Sequence, residues 1–169
     1  MRRHLLETSQ WVRTPLEKTF AFFSDPRNLA RITPPDLGFV ILTPEPIEMC
    51  AGAWIDYRIR VRGLPVRWTT RIEVWEPNVR FVDVQVRGPY RLWRHEHTFE
   101  ERDGGTRIRD RVEYELPLFP ISELAHPLLV RPDLDRIFSF RLAATRRLLE
   151  GDLGEPSPVA ATGKLGTPP

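Results

Sequence analysis

The segment Trp93-Arg94-His95-Glu96-His97-Thr98-Phe99 carries the residues best suited to chemistry. Successive residues of a β-strand point to opposite faces. Trp93, His95, His97 and Phe99 therefore share one face, and Arg94, Glu96 and Thr98 the other. Two large aromatic residues mark the first face as the inner one. Imidazole changes charge near neutral pH, and its ring nitrogens can donate, accept or ligate a metal. Two imidazoles on an inward face point to proton transfer, ligand anchoring or metal binding.

The following turn says what lies across from them. Asp103-Gly104 is a strong two-residue hairpin signal. Closing there pairs Phe99 with Ile108, His97 with Asp110, His95 with Val112 and Trp93 with Tyr114. Asp110 is then the one carboxylate on a face otherwise built of Ile108, Val112, Tyr114 and Leu116. Moving the turn to Gly104-Gly105 keeps the faces but puts Val112 opposite His97 and Asp110 on a diagonal. An inward His–Asp pair has two readings. In one, Asp110 satisfies His97 and the pair fills a polar gap in the core. In the other, Asp110 orients His97, whose second nitrogen serves a pocket as general acid, general base or ligand anchor. His95, His97 and Asp110 are also possible metal ligands. Nothing else in the chain completes a recognisable ligand spacing, and Cys50 is remote, so no metal is expected.

The strand over residues 80–87 is ambiguous. Val82, Val84 and Val86 facing inward is the ordinary core pattern and the favoured one. The opposite choice turns Phe81, Asp83, Gln85 and Arg87 inward, with Gln85 placed to bond a ligand carbonyl or hydroxyl. Tyr57, Trp68, Gln85, Trp93, His95, His97, Tyr114 and Phe138 form the candidate ligand-binding set, whose aromatic members would serve equally well as core. Arg141 lies beside the apolar stripe of the last helix and reads as an edge side chain holding its charge in water. No nucleophile motif, glycine-rich phosphate loop or dinucleotide fingerprint is present, and no cofactor is expected.

These residues need a sheet to position them. Residues 3–13 read as a first strand. Thr14 and Pro15 suit the N-cap and first turn of a helix over 15–23, with Leu16, Thr19, Phe20 and Phe23 on one stripe. Asp25-Pro26 starts a second short helix that ends before Pro34-Pro35, and residues 37–43 read as a strand. Ile55, Tyr57, Ile59 and Val61 alternate with charged residues. A turn at Gly63-Leu64 pairs Ile59 with Trp68 and Tyr57 with Thr70, and puts Trp68, Thr70, Ile72 and Val74 on the same apolar face. Strands at 80–87, 91–101 and 105–116 follow. Pro117, Pro120, Pro127 and Pro132 make 117–132 a loop with a partial helix. Asp133 suits the N-cap of a final helix over 134–150, which presents Leu134, Ile137, Phe138, Leu142, Thr145 and Leu148 and ends at Gly151. Residues 151–169 read as a disordered tail after a single domain over 1–150. The order is α+β, an antiparallel sheet curled around one long helix. One helix cannot cover so wide a sheet, and the space left between them suits a ligand.

Composition narrows the partners. The 169 residues carry a net charge of +2, and Lys18 and Lys164 are the only lysines. The arginines are interleaved with acids through most of the chain, so basic charge is not concentrated as nucleic-acid binding requires. No apolar run approaches the roughly 20 residues of a membrane helix. Glu7-Thr8-Ser9-Gln10 interrupts any signal-like start, and the lone Cys50 cannot form an internal disulfide. A cytoplasmic location is expected.

Several segments together resemble the START-like, or SRPBCC, superfamily in an uncharacterised bacterial ligand-binding branch. They are the Pro15-to-Asp25 helix, Asp25-Pro26-Arg27-Asn28-Leu29, Ile32-Thr33-Pro34-Pro35, Gly88-Pro89-Tyr90, the Trp93/His95/His97/Phe99 run and Ile137-Phe138-Ser139-Phe140-Arg141. The resemblance spans about residues 2–150. It implies a helix-grip fold: a seven-stranded antiparallel sheet around a long C-terminal helix, with two short helices after the first strand. It also implies a deep cavity for a lipid, isoprenoid quinone or polyketide, and carries over no catalytic set. Three functions follow as expectations: a non-catalytic binder or carrier of a hydrophobic molecule, a polyketide cyclase or dehydratase using His97 and Asp110, and a lipid or quinone chaperone serving a protein partner. The last would show an exposed apolar patch near 117–132.

Overall fold

Period-two alternation and tight turns produce a single antiparallel sheet. The computed structural model describes residues 2–151; residues 152–169, nearly all of the expected tail, lie outside the described residues. The strands are β1 (His4–Val12), β2 (Val40–Ile41), β3 (Trp54–Val61), β4 (Leu64–Glu76), β5 (Arg80–Arg87), β6 (Leu92–Arg102) and β7 (Gly105–Glu115). They lie in the order β1-β7-β6-β5-β4-β3-β2. Helices α1 (Leu16–Phe23) and α2 (Arg27–Arg31) follow β1, and α3 (Ile121–Ala125) and α4 (Arg131–Glu150) follow β7. This is the α+β helix-grip arrangement. Among the described residues no helix is long and apolar enough to cross a membrane.

Turn chemistry sets the register where it is unambiguous. Asp103 and Gly104 both have positive φ, 52° and 71°. They close β6 on β7 with His97 opposite Asp110 and Trp93 opposite Tyr114. The β3–β4 turn falls one residue earlier than expected, on Arg62 and Gly63, at φ 51° and 82°. A two-residue hairpin of this kind needs positive φ at both positions. Tyr57 therefore faces Trp68, and Ile59 faces Val66. The slip of two keeps every side chain on its expected face.

Other expectations are corrected. A bulge between Ile72 and Val74 turns Val74 off the inner face. It brings Trp75 in against Phe20 and Phe81. The inward face of β5 is Phe81, Asp83 and Gln85, not the valines: Phe81 pairs with His97 and Asp83 with His95. Phe81 gains rings on Phe20 and Phe99, whereas Val86 is left 51% exposed. The strand expected over 37–43 is a 3₁₀ turn at Pro35–Leu37 followed by the two residues of β2. Thr14 does not cap α1. Its hydroxyl donates to the carbonyl of Leu149 (3.1 Å), one of the unpaired carbonyls at the end of α4.

The segment 117–132 is more helical than four prolines suggest. Pro127 has no N–H, and its ring crowds the preceding turn. The chain absorbs this as a π-helical stretch, His126–Val130, that joins α3 to α4. Asp133 lies inside the first turn of α4 rather than at its cap. Helix α4 buries Leu134, Phe138, Ala144, Thr145 and Leu149. Two apolar clusters result. One holds Trp68, Trp93, Val112, Tyr114, Leu134 and Phe138; the other holds Val12, Phe20, Phe81, Phe99, Ile108 and Leu149.

Candidate functional site

Between those clusters, on the same strands, lies a buried polar island. Along β6, Trp93 belongs to the first cluster, Phe99 to the second, and His95 and His97 fall between them. Asp110 comes from β7 on one side and Asp83 from β5 on the other. His95 donates from Nε2 to Oδ1 of Asp110 at 3.0 Å. Nδ1 of His97 lies 2.8 Å from the same oxygen but is not aimed at it for a hydrogen bond. On the other side, His97 Nε2 is 3.3 Å and His95 Nδ1 3.7 Å from Oδ2 of Asp83. Thr8 of β1 donates to the second oxygen of Asp110 at 3.2 Å. Asp110 thus touches both imidazoles, where the hairpin register alone put it opposite His97.

The island opens on a cavity of about 720 Å³ between sheet and α4. Tyr57, Trp68, Trp93, His95, His97 and Phe138 line it, and so do Asp83, Thr70 and Arg141. Asp110 stands behind the lining. Two members of the candidate set do not reach the cavity. Gln85 is committed to backbone: its Nε2 donates to the carbonyl of Tyr90 (2.6 Å) and its Oε1 accepts from the Tyr90 N–H (3.3 Å). Tyr114 is fully buried, with its hydroxyl 2.8 Å from Nε2 of His126. Both face inward as alternation requires, but their polar atoms are used within the wall.

Sequence reasoning missed Asp83 and Arg141. Asp83 appeared only on the disfavoured face of β5, whose two alternating sets were both acceptable. Arg141 was expected at the helix edge with its head in water. Instead it lines the cavity with its guanidinium 5.1 Å from the ring centre of Phe138, and its Nε is buried without a hydrogen-bond partner. Trp68 Nε1, also on the lining, is buried and unpartnered too. Leaving a buried donor unsatisfied costs about 1–3 kcal/mol. At the rim, Arg62–Asp133 and Asp36–Arg136, both at 3.0 Å, tie sheet and 3₁₀ turn to α4. Leu118, Ile121, Leu124 and Leu128 nearby are between 72% and 80% exposed, an apolar patch in the proline-rich segment.

Burial and hydrogen bonding compete in the island. Burial pushes Asp110 up, but the His95 and His97 contacts outweigh it and hold the carboxyl well below its ordinary range. Asp83 behaves alike: burial raises it, while the His97 hydrogen bond and the nearby imidazoles and Arg141 bring it down. For His97, burial lowers the pKa, but the two carboxylates raise it above the usual value. For His95, burial and the neighbouring His97 charge win, and its pKa falls despite Asp110. Burial also pushes the Tyr57 hydroxyl up. At neutral pH the site therefore holds two carboxylates and at least one neutral imidazole.

A long helix gripped by a curved sheet over an interior cavity defines a START-like ligand-binding fold. The sequence matches the family described as polyketide cyclase/dehydrase and lipid transport over residues 3–150, and the chain belongs to that family. No curated protein matches the sequence. Among solved structures, it is similar to the ZhuI aromatase/cyclase from Streptomyces sp. R1128, at 17% identity and TM-score 0.72, covering 90% of this chain and 97% of that one. TTHA0849 from Thermus thermophilus is 16% identical with TM-score 0.71, over 89% of this chain and 100% of that one. Ara h 8.0201 is 15% identical with TM-score 0.62, over 88% and 99%. At these identities the likeness shows the fold.

Proposed function

We propose that this protein binds an amphipathic small molecule in the cavity between sheet and α4, with oxygen-bearing groups held at the polar side. The observation that carries this is a cavity of about 720 Å³ with aromatic lining and two buried donors, Trp68 Nε1 and Arg141 Nε, that lack partners among the described residues. Lipid, isoprenoid quinone and polyketide all combine an apolar body with carbonyl, hydroxyl or carboxylate oxygen. Tyr57, Trp93 and Phe138 would hold the body, and Trp68, Arg141, His95 and His97 the oxygens. The exposed leucines beside the rim are the patch expected of a chaperone that hands its lipid or quinone to a protein partner. Native mass spectrometry of gently purified protein, followed by extraction, tests this. A defined co-purifying amphiphile, or saturable quenching of tryptophan fluorescence by a fatty acid, quinone or aromatic polyketide, is expected. No binding to any of the three classes overturns it.

A second function, acid–base catalysis on a bound polyketide-like substrate, is favoured by imidazoles on the lining with Asp110 behind them. In that case His97 exchanges the proton and Asp110 positions it, and the apolar walls exclude water. His97→Ala would then lower turnover by about 10²-fold or more. Unchanged turnover in both His95→Ala and His97→Ala would leave binding alone.

A further inference from the structure

Side chains of metal-ligating type converge on the island. An ionised carboxylate only accepts hydrogen bonds, and a neutral imidazole carries a single N–H. Asp83 and Asp110 meet His95 and His97 through four nitrogen–oxygen approaches of 2.8 to 3.7 Å. His95 uses its proton on Asp110. Its Nδ1 then turns a lone pair toward Oδ2 of Asp83, acceptor against acceptor, at 3.7 Å. Lone pairs of imidazole and carboxylate converging on one spot are what two ligands of a shared cation present.

The donor atoms already surround a place for one. One ligand atom from each of Asp83, His95 and His97 lies within 4.8 Å of the other two. Tetrahedral ligands at 2.0–2.2 Å from a shared ion sit about 3.4 Å apart. The Asp83 oxygen is 3.3 Å from His97 Nε2 and 3.7 Å from His95 Nδ1. All three residues line the cavity, and Asp110 meets the far nitrogens from behind. A carboxylate so placed orients a metal-binding imidazole and fixes its tautomer. Binding at Nε2 of His97 would shift that ring's proton to Nδ1, 2.8 Å from Asp110.

We propose that Asp83, His95 and His97 bind one divalent first-row transition ion, of the zinc or iron(II) type, with Asp110 as the positioning carboxylate. Two imidazoles and one carboxylate disfavour magnesium and calcium, which prefer all-oxygen sets. Three protein ligands leave a position open, as in reactive rather than structural sites, and here it faces the cavity. A carbonyl or enol oxygen of an amphiphile is the ligand that position would take. Asp110 belonged to the metal set considered from sequence; the fold replaces it with Asp83 and moves it behind the ligands.

The test is cobalt(II) titration of the untagged full-length chain after dialysis against chelator, with zinc as competitor. One equivalent should bind, give visible d–d absorption and be displaced by zinc. Asp83→Asn, His95→Gln and His97→Gln should each abolish the 1:1 band, with near-ultraviolet circular dichroism checking the fold. Asp110→Asn should weaken binding by about 10–100-fold. No saturable binding, or a band that survives in both histidine variants, overturns the site. Quinone titration of the metal-free wild type separates the two proposals. Quinone binding without metal binding defeats only the metal, and metal binding without any apolar ligand defeats only the cavity reading.

Discussion

Strand β6 carries ionisable side chains on both faces, and the two faces follow different physics. Outward, Arg94 reaches Glu73 at 3.1 Å and Glu96 at 3.4 Å, and Arg80 joins Glu76 at 2.8 Å and Glu96 at 3.3 Å. These groups keep contact with water, where an ion pair is worth about 0–1 kcal/mol and is screened by salt. Inward, His95 and His97 meet Asp83 and Asp110 with little water, where each charge carries a large desolvation penalty. The outer lattice can lose a member and rehydrate the rest. The inner island cannot, and its surviving groups would be left buried and unmatched. A feature so expensive on the wall of a cavity fits the binding role proposed above.

The largest test of that contrast is Asp110→Ala, which strands both imidazoles and should lower stability in urea by about 3–5 kcal/mol. A loss under about 1 kcal/mol would put the inner face under the same rules as the outer one. Next, Trp68→Phe keeps a large ring but removes the unpartnered donor. Affinity for an oxygen-bearing amphiphile should fall about tenfold, equivalent to about 1.4 kcal/mol, with no comparable loss for a hydrocarbon probe. Equal losses for both probes would assign Trp68 to packing alone. Arg141→Met should change stability by no more than about 1 kcal/mol, and in the favourable direction, because an unsatisfied buried donor disappears. It should also weaken carboxylate-bearing ligands more than alcohols. Glu96→Gln on the outer face should cost about 0.5 kcal/mol, less still in high salt.

The smallest effect is on pH dependence at the surface. Hydrogen bonds from Thr69 and Arg67 lower the pKa of Asp56 below its ordinary 3.8. A carboxyl with a depressed folded pKa adds stability above its unfolded value and loses it as pH falls through the folded one. Asp56→Asn should therefore trail the wild type at neutral pH and converge with it in acid. A constant gap from neutral to acid pH, measured by urea denaturation, would remove that assignment.

Much of the sheet was legible because its determinants are local. Asp103-Gly104 takes the positive φ values its turn needs, and strict alternation then places His97 across from Asp110. The β3–β4 turn shows the limit of that rule. Arg62 adopts an uncommon positive φ, which residue type alone does not announce, so the turn moved while the faces held. For β5, alternation offered two acceptable faces. The ring contacts of Phe81 with Phe20 and Phe99, and of Asp83 with the imidazoles, favour the observed one.

From sequence alone came the inward histidines, Asp110 opposite one of them, the aromatic wall and a sheet curled around one long helix, because side-chain period and turn chemistry act over a few residues; the helix-grip plan came from the family resemblance. Tertiary structure decided that Asp83 completes the island, that Asp110 serves both imidazoles, that Gln85 and Tyr114 are used inside the wall and that Arg141 faces the cavity. Those outcomes depend on how three neighbouring strands and a helix distant in sequence share space, and the energy of a buried charge depends on every group that reaches it.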